Sequence, residues 1–85
     1  MGRYLIDVRV MPRERLLDPQ GNAVHHALAA LGFDEVAEVR IGKSLSLAVD
    51  APDAASAAER ANVMCERLLA NPVTEDYVVV VEGEA

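Results

Sequence analysis

The chain contains one cysteine, Cys65, no tryptophan, two tyrosines and one phenylalanine. A lone thiol excludes an intramolecular disulfide framework and suits a reducing compartment, so a cytoplasmic location is expected. Basic residues are also few, eight against fourteen acids for a net charge of −6, too few to make the phosphate-neutralising face that nucleic-acid binding needs. Long apolar runs are missing. Residues 1–10 (MGRYLIDVRV) alternate in polarity, and no later run approaches the ~18 residues of a membrane span, so neither export nor membrane insertion is expected. Internal repeats, low-complexity linkers and long charged tails are absent as well. A single domain over residues 1–85 is therefore expected, of a size that buries between ~60% and ~70% of its unfolded surface and leaves room for an oligomer.

What is present is a clear alternation of patterns. Tyr4, Ile6, Val8 and Val10 lie on one side of a segment whose other side carries Arg3, Leu5, Asp7 and Arg9, the period of a strand. Asp18-Pro19-Gln20-Gly21 reads as a helix start, with Asp18 as N-cap and Pro19 at the first helical position. Val24, Ala27, Leu28 and Leu31 recur at i, i+3, i+4, i+7, and Gly32 ends that helix, predicted over about 19–31. Val36, Val39 and Ile41 lead into Gly42-Lys43-Ser44, after which Leu45, Leu47 and Val49 alternate. This predicts two strands around a short turn.

Pro52-Asp53 opens a second helix whose broad face holds Ala57, Ala61, Met64, Cys65, Leu68 and Leu69, and Asn71-Pro72 ends it. Tyr77–Val81 is β-favouring on both faces and predicts a well-covered strand. The order β-α-β-β-α-β predicts an α+β, ferredoxin-like two-layer sandwich: a four-stranded antiparallel sheet with two helices on one face. The other face, with Leu5 and Val80, is left uncovered, which predicts a homodimer at least.

Three motifs suggest chemistry and each has a plainer reading. Ala37 to Ser44 spells A-x-x-x-x-G-K-S, one residue short of a phosphate-binding loop, but its interior favours a strand and a strand follows where a helix is required. His25-His26 offers groups that titrate near neutrality, yet neighbours on a helix diverge by about 100° and do not share one site. Cys65 lies on or beside a buried helical face without a second cysteine, where it packs as a small hydrophobe. No catalytic residue, cofactor site or metal site is expected in this chain. Gly21 is the oddity. A glycine in a first helical turn costs up to ~1 kcal/mol against alanine, so close approach of a partner backbone is one reading of it.

"LDPQGNAVHHALAALGFDEVAEVRIGKSLSL" and "MCERLLANPVTEDYVVVVE" together resemble the PurS family, small subunits of the multi-subunit phosphoribosylformylglycinamidine synthase. The most specific pieces are Asp18-Pro19-Gln20-Gly21, Val39-Arg40-Ile41-Gly42-Lys43, Met64-Cys65-Glu66 and Leu68-Leu69-Ala70-Asn71. The resemblance implies a non-catalytic subunit that joins a glutaminase (PurQ) to a synthetase (PurL) in purine biosynthesis and helps shield ammonia passing between them. It also implies dimers or pairs of dimers, with ATP and Mg²⁺ on the synthetase.

The residues themselves favour an interface around Asp18, Gln20 and Gly21 and around Arg40, Gly42 and Lys43, where polar reach meets backbone freedom. Two other classes compete. One is a stand-alone dimeric module holding a small ligand between subunits; the other is a small enzyme using His25 or His26.

Overall fold

Strand β1 (Gly2–Pro12) occupies the centre of the sheet in the computed structural model, which describes residues 1–14, 16 and 18–85. It pairs antiparallel with β2 (Lys43–Ala51) on one side and with β3 (Glu75–Glu84) on the other. The alternation read from the sequence sends Tyr4, Ile6, Val8 and Val10 to the inner face, none more than 9% exposed. Register then aligns the flanking strands with them. Ile6 lies opposite Leu47 and Val81, and Val8 opposite Leu45 and Val79, so the apolar residues of all three strands share one face.

The expected four-stranded sheet does not form. The sheet has three strands in the order β2-β1-β3, and the elements run β-α-β-α-β. Residues 36–42, expected to be a strand and half of a hairpin, pair with no strand. Side chains satisfy backbone groups there instead: Ile41 N–H donates to the Asp18 carboxylate at 2.8 Å, and the Val36 carbonyl lies 2.7 Å from His25 Nε2. Backbone groups served in this way have no need of a ladder. Gly42-Lys43 is correspondingly not a hairpin turn, because Lys43 is already the first residue of β2, opposite Val10.

Among the described residues, one helix covers the sheet. Helix α2 (Ala54–Met64) starts at Asp53, whose carboxylate accepts the Ser56 N–H at 2.7 Å, and packs against all three strands. Its contact residues Ala57 and Ala61 are fully buried, and small side chains there let the helix lie close to the sheet. The chain continues from Cys65 to Leu69 as a π-helical turn, in which Ala70 N–H donates to the Cys65 carbonyl. This wider turn departs from the 100° step of the preceding helix. Leu68 emerges 82% exposed instead of joining the buried face with Cys65.

Helix α1 (Pro19–Ala30) has no comparable packing on the sheet, which corrects the expectation of two helices on one face. Gly21 is its one buried residue, while Val24 and the following Leu31 and Phe33 are 39%, 75% and 47% exposed. The helix ends as the sequence predicts: Gly32 takes φ 97°, Gly32 N–H donates to Ala29, and Phe33 N–H donates to Leu28, the paired bonds of a glycine-terminated helix. With α1 standing off the sheet, the molecule measures 52 × 26 × 14 Å. Its radius of gyration is 16.4 Å, against about 12 Å for a compact chain of this length.

β3 also departs from expectation. Its run of valines is covered on one face only, and Val78 and Val80 remain 59% and 46% exposed on the outer face beside Leu5 at 45%.

Candidate functional site

Asp18 organises the base of the arm formed by α1 and the segment returning to β2. Its Oδ1 accepts Gly21 N–H at 3.0 Å, the N-cap bond the sequence predicts, and its Oδ2 accepts Ile41 N–H at 2.8 Å. Two backbone donors stabilise the charged form and hold this carboxyl below its ordinary value of 3.8. Arg40 donates from its guanidinium to the Pro12 carbonyl, tying the same segment to the end of β1.

The two glycines of this region are explained by proximity. A methyl group at Gly21 would collide with the Val39 carbonyl and with the Asp18 carboxylate, and one at Gly42 would collide with the Val10 carbonyl and Met11. The backbone approaching Gly21 within the chain is thus its own.

Of the residues selected from sequence, the fold brings Asp18, Gly21, Arg40 and Gly42 into this junction. Gln20 and Lys43 lie exposed at its margin. The residues with possible chemistry are held apart. Cys65 is fully buried, and burial pushes its thiol up from the ordinary value of 9.0. His25 is engaged with Val36, and its ring centroid lies 6.4 Å from that of His26 at an angle of 45°. Among the described residues no group of three or more His, Cys, Asp or Glu is placed to hold a metal ion. Lys43 and Ser44 sit in β2 with no helix after them, so the A-x-x-x-x-G-K-S stretch lacks the helix N-terminus a phosphate loop uses.

Two further surfaces stand out, the outer sheet face that the sequence leaves uncovered and a groove that it does not single out. On the outer sheet face, a concavity of about 250 Å³ is lined by Asp7, Arg9, Ser44, Val78, Val80 and Glu82. A hydrogen bond with the neighbouring Asp7 carboxyl, and its charge, raise Glu82 above its ordinary value of 4.5. On the helical side, a groove of about 350 Å³ runs between α2 and β2. Its walls include Leu47, Val63, Met64 and Leu68, with Arg60 and Arg67 at its rim. The signal for this groove was present, since Arg60, Val63, Met64 and Arg67 recur at i, i+3, i+4, i+7. The same spacing also fits a core-facing helix, on which Met64 and Leu68 read as buried residues.

A carboxylate-clamped arm, an outer sheet face with Leu5, Val78 and Val80 exposed among charged side chains, and an apolar groove beside a helix mark a small α+β protein with apolar surface open to solvent. Comparison with known proteins identifies its family. Residues 5–83 match the PurS family, described as phosphoribosylformylglycinamidine (FGAM) synthase. The chain is 46% identical over 79 residues to the PurS subunit of Bacillus subtilis, spanning 93% of each chain. It is 43% identical over 83 residues to that of Synechocystis sp., spanning 94% of this chain and 83% of the other.

Its structure is similar to that of Bacillus subtilis PurS, with a TM-score of 0.84 at 46% identity over 93% of this chain and 98% of that one. A chain in the PurLQS structure from Thermotoga maritima gives a TM-score of 0.87 at 33% identity, over 95% of this chain and 99% of that one. The chain belongs to the PurS family of phosphoribosylformylglycinamidine synthase subunits.

No helix is long and apolar enough to cross a membrane among the described residues.

Proposed function

We propose that this chain is a non-catalytic assembly and ammonia-transfer subunit of phosphoribosylformylglycinamidine synthase in purine biosynthesis, working in the cytoplasm. It bridges a PurQ-type glutaminase, which releases ammonia from glutamine, and a PurL-type synthetase. ATP and Mg²⁺ belong to the synthetase. The observation that carries this reading is the match along residues 5–83, joined to the similarity with a chain of a PurLQS structure.

The physical task is containment. Ammonia released into bulk water is protonated and loses its nucleophilic lone pair, so a path closed between protein surfaces preserves the reagent. The exposed apolar surface at Leu5, Val78, Val80 and Leu68 supplies material for such closure. The chain works as a homodimer or a dimer of dimers, and its contacts with the larger subunits include the arm junction, with Asp18, Gln20, Gly21, Arg40, Gly42 and Lys43 as the candidate residues.

Reconstitution tests this. Synthetase and glutaminase chains are assayed for amidine formation with and without this protein, using glutamine or free ammonia as the nitrogen source. Glutamine-dependent synthesis should require the chain, while synthesis from a high concentration of ammonia should proceed without it. Equal glutamine-dependent rates in both samples would contradict the proposal.

A further inference from the structure

The outer face of the sheet holds charges that the chain does not match among themselves. Elsewhere opposite charges find each other: Arg3 pairs with Asp50 at 2.7 Å and Arg13 with Asp76 at 3.6 Å. Asp7 and Arg9 lie two residues apart on one face of β1, yet among the described residues Arg9 makes no ion pair. Asp7 instead accepts a hydrogen bond from the Ser46 hydroxyl of β2 at 3.3 Å and meets the Glu82 carboxyl of β3.

The backbone of β3 brings that meeting about. Ile6 lies opposite Val81 and Leu5 opposite Gly83, so Glu82 is an extra residue without a partner across the ladder, a β-bulge followed by Gly83 at φ 137°. A bulge bends its strand and re-aims a side chain. Here it delivers Glu82 to Asp7, and two carboxyls so close share a proton while no cation stands between them.

The result is a concavity of about 250 Å³ with an anionic end at Asp7 and Glu82, a cationic end at Arg9 beside Ser44, and apolar walls at Val78 and Val80. Each feature excludes a class of ligand. The carboxyls repel phosphates and nucleotides, Arg9 repels a bare metal cation, and the volume lies below the ~300–1,000 Å³ of sites for drug-sized molecules. What remains is a small molecule that carries both charges and a short apolar group. The Asp7 and Arg9 rows are ~7 Å apart along the strand. That spacing suits an ammonium and a carboxylate borne by one carbon, with a charge-assisted hydrogen bond of about 2.8 Å at either end.

We propose that this concavity binds a free α-amino acid with an aliphatic side chain, its ammonium held by Asp7 and Glu82, its carboxylate by Arg9 and Ser44, and its side chain against Val78 and Val80. The ammonium takes the place of the shared proton. The groups that face it are Asp7 and Arg9 from β1 and Glu82 from β3, while β2 contributes only the uncharged Ser44 and Ser46. Helix α2 packs on the opposite face of the sheet and contributes nothing. The site is separate from the arm junction, and the inference goes beyond the assembly role without depending on it.

Titration of the full chain with L-leucine tests this, followed by the valine methyl resonances in nuclear magnetic resonance and by calorimetry at pH 7. The Val78 and Val80 methyls should shift saturably at low-millimolar leucine. Leucinamide lacks the carboxylate and 4-methylpentanoate lacks the ammonium, so each should bind roughly tenfold or more weakly. Arg9→Gln and Asp7→Asn should lose affinity for leucine to the same extent. Both positions are exposed, and circular dichroism verifies folding; should a variant fail to fold, the two analogues make the test on the unaltered chain. Affinity should also be lower at pH 4 than at pH 7, because below the raised Glu82 titration the shared proton competes with the ammonium.

No saturable shift at tens of millimolar leucine, analogues that bind as well as leucine, or variants that keep its affinity would each overturn the site. Shifts of Val78 and Val80 on adding the synthetase or glutaminase chain, with none on adding leucine, would assign this face to a protein partner and overturn it equally. None of these results would by itself remove the requirement for this chain in glutamine-dependent synthesis, which the reconstitution measures separately.

Discussion

The carboxylate of Asp18 joins two backbone segments far apart in sequence, accepting Ile41 N–H at 2.8 Å with one oxygen while the other caps helix α1 through Gly21 N–H at 3.0 Å. One side chain thus starts the arm and closes it. Replacing Asp18 with Asn substitutes an amide for one of the two acceptor oxygens, so one N–H loses its partner. Asp18→Asn should lower the melting temperature by a few degrees, and Asp18→Ala, which also removes the cap, by about 5 °C or more at fixed protein concentration. Equal melting temperatures for Asp18→Asn and the unaltered chain would show that the second bond adds nothing.

Gly21→Ala sets helix propensity against contact. Alanine is favoured within a helix by up to ~1 kcal/mol, but its methyl group would press on the Val39 carbonyl and the Asp18 carboxylate. The collision should win, for a net loss of ~1–3 kcal/mol in denaturant unfolding. A stabilised variant would mean that Val39 is free to move aside.

Acid should weaken the fold through Asp18, Asp50 and Asp53. Backbone N–H bonds hold Asp18 and Asp53 below their ordinary value of 3.8, and the hydrogen bond and charge of Arg3 do the same for Asp50. Their stabilisation is complete above the unfolded value and disappears as pH falls through the lower folded values. Glu82 acts in the opposite direction. Because Asp7 raises it above 4.5, its contribution is fullest below that value and is lost as pH rises through the folded value. Urea midpoints measured from pH 7 to pH 2.5 should therefore fall at the acid end, less steeply for Asp18→Asn. A Glu82→Gln variant should gain relative to the unaltered chain as pH rises past the Glu82 titration.

Cys65 should react slowly with a thiol reagent in the native protein and rapidly in denaturant, because it is fully buried and its thiolate is disfavoured. Comparable rates in both states would indicate that the π-helical turn opens readily.

Lys43→Glu together with Gln20→Arg separates binding from folding. Both side chains lie exposed at the margin of the arm junction, so stability should change by no more than about 0.5 kcal/mol. Capture of the larger subunits should weaken nonetheless. Unchanged capture would remove these two positions from the interface.

Local pattern made much of this legible. The alternation of Tyr4, Ile6, Val8 and Val10, the Asp18 cap and the Gly32 terminator each rest on contacts between near neighbours, and each is present in the structure. Residues 36–41 alternate much as an edge strand would, but whether such a segment enters the sheet depends on distant partners. Asp18 and His25 supplied those partners through side chains. The exposure of Leu68 depends on a π-helical turn that leaves no mark in hydrophobic spacing. The arm junction was partly readable because Gly21 is costly where it stands. Its neighbours Val39 and Pro12 were not, since their role is to offer carbonyls, a property every residue shares.

The most direct measurement of the central claim is the rate of amidine formation by synthetase and glutaminase chains, with glutamine as nitrogen source, as this protein is titrated in. The account predicts a rate that rises from near zero and saturates at a fixed ratio of this chain to synthetase, while the ammonia-dependent rate stays level. A glutamine-dependent rate already maximal before any of the chain is added would contradict it.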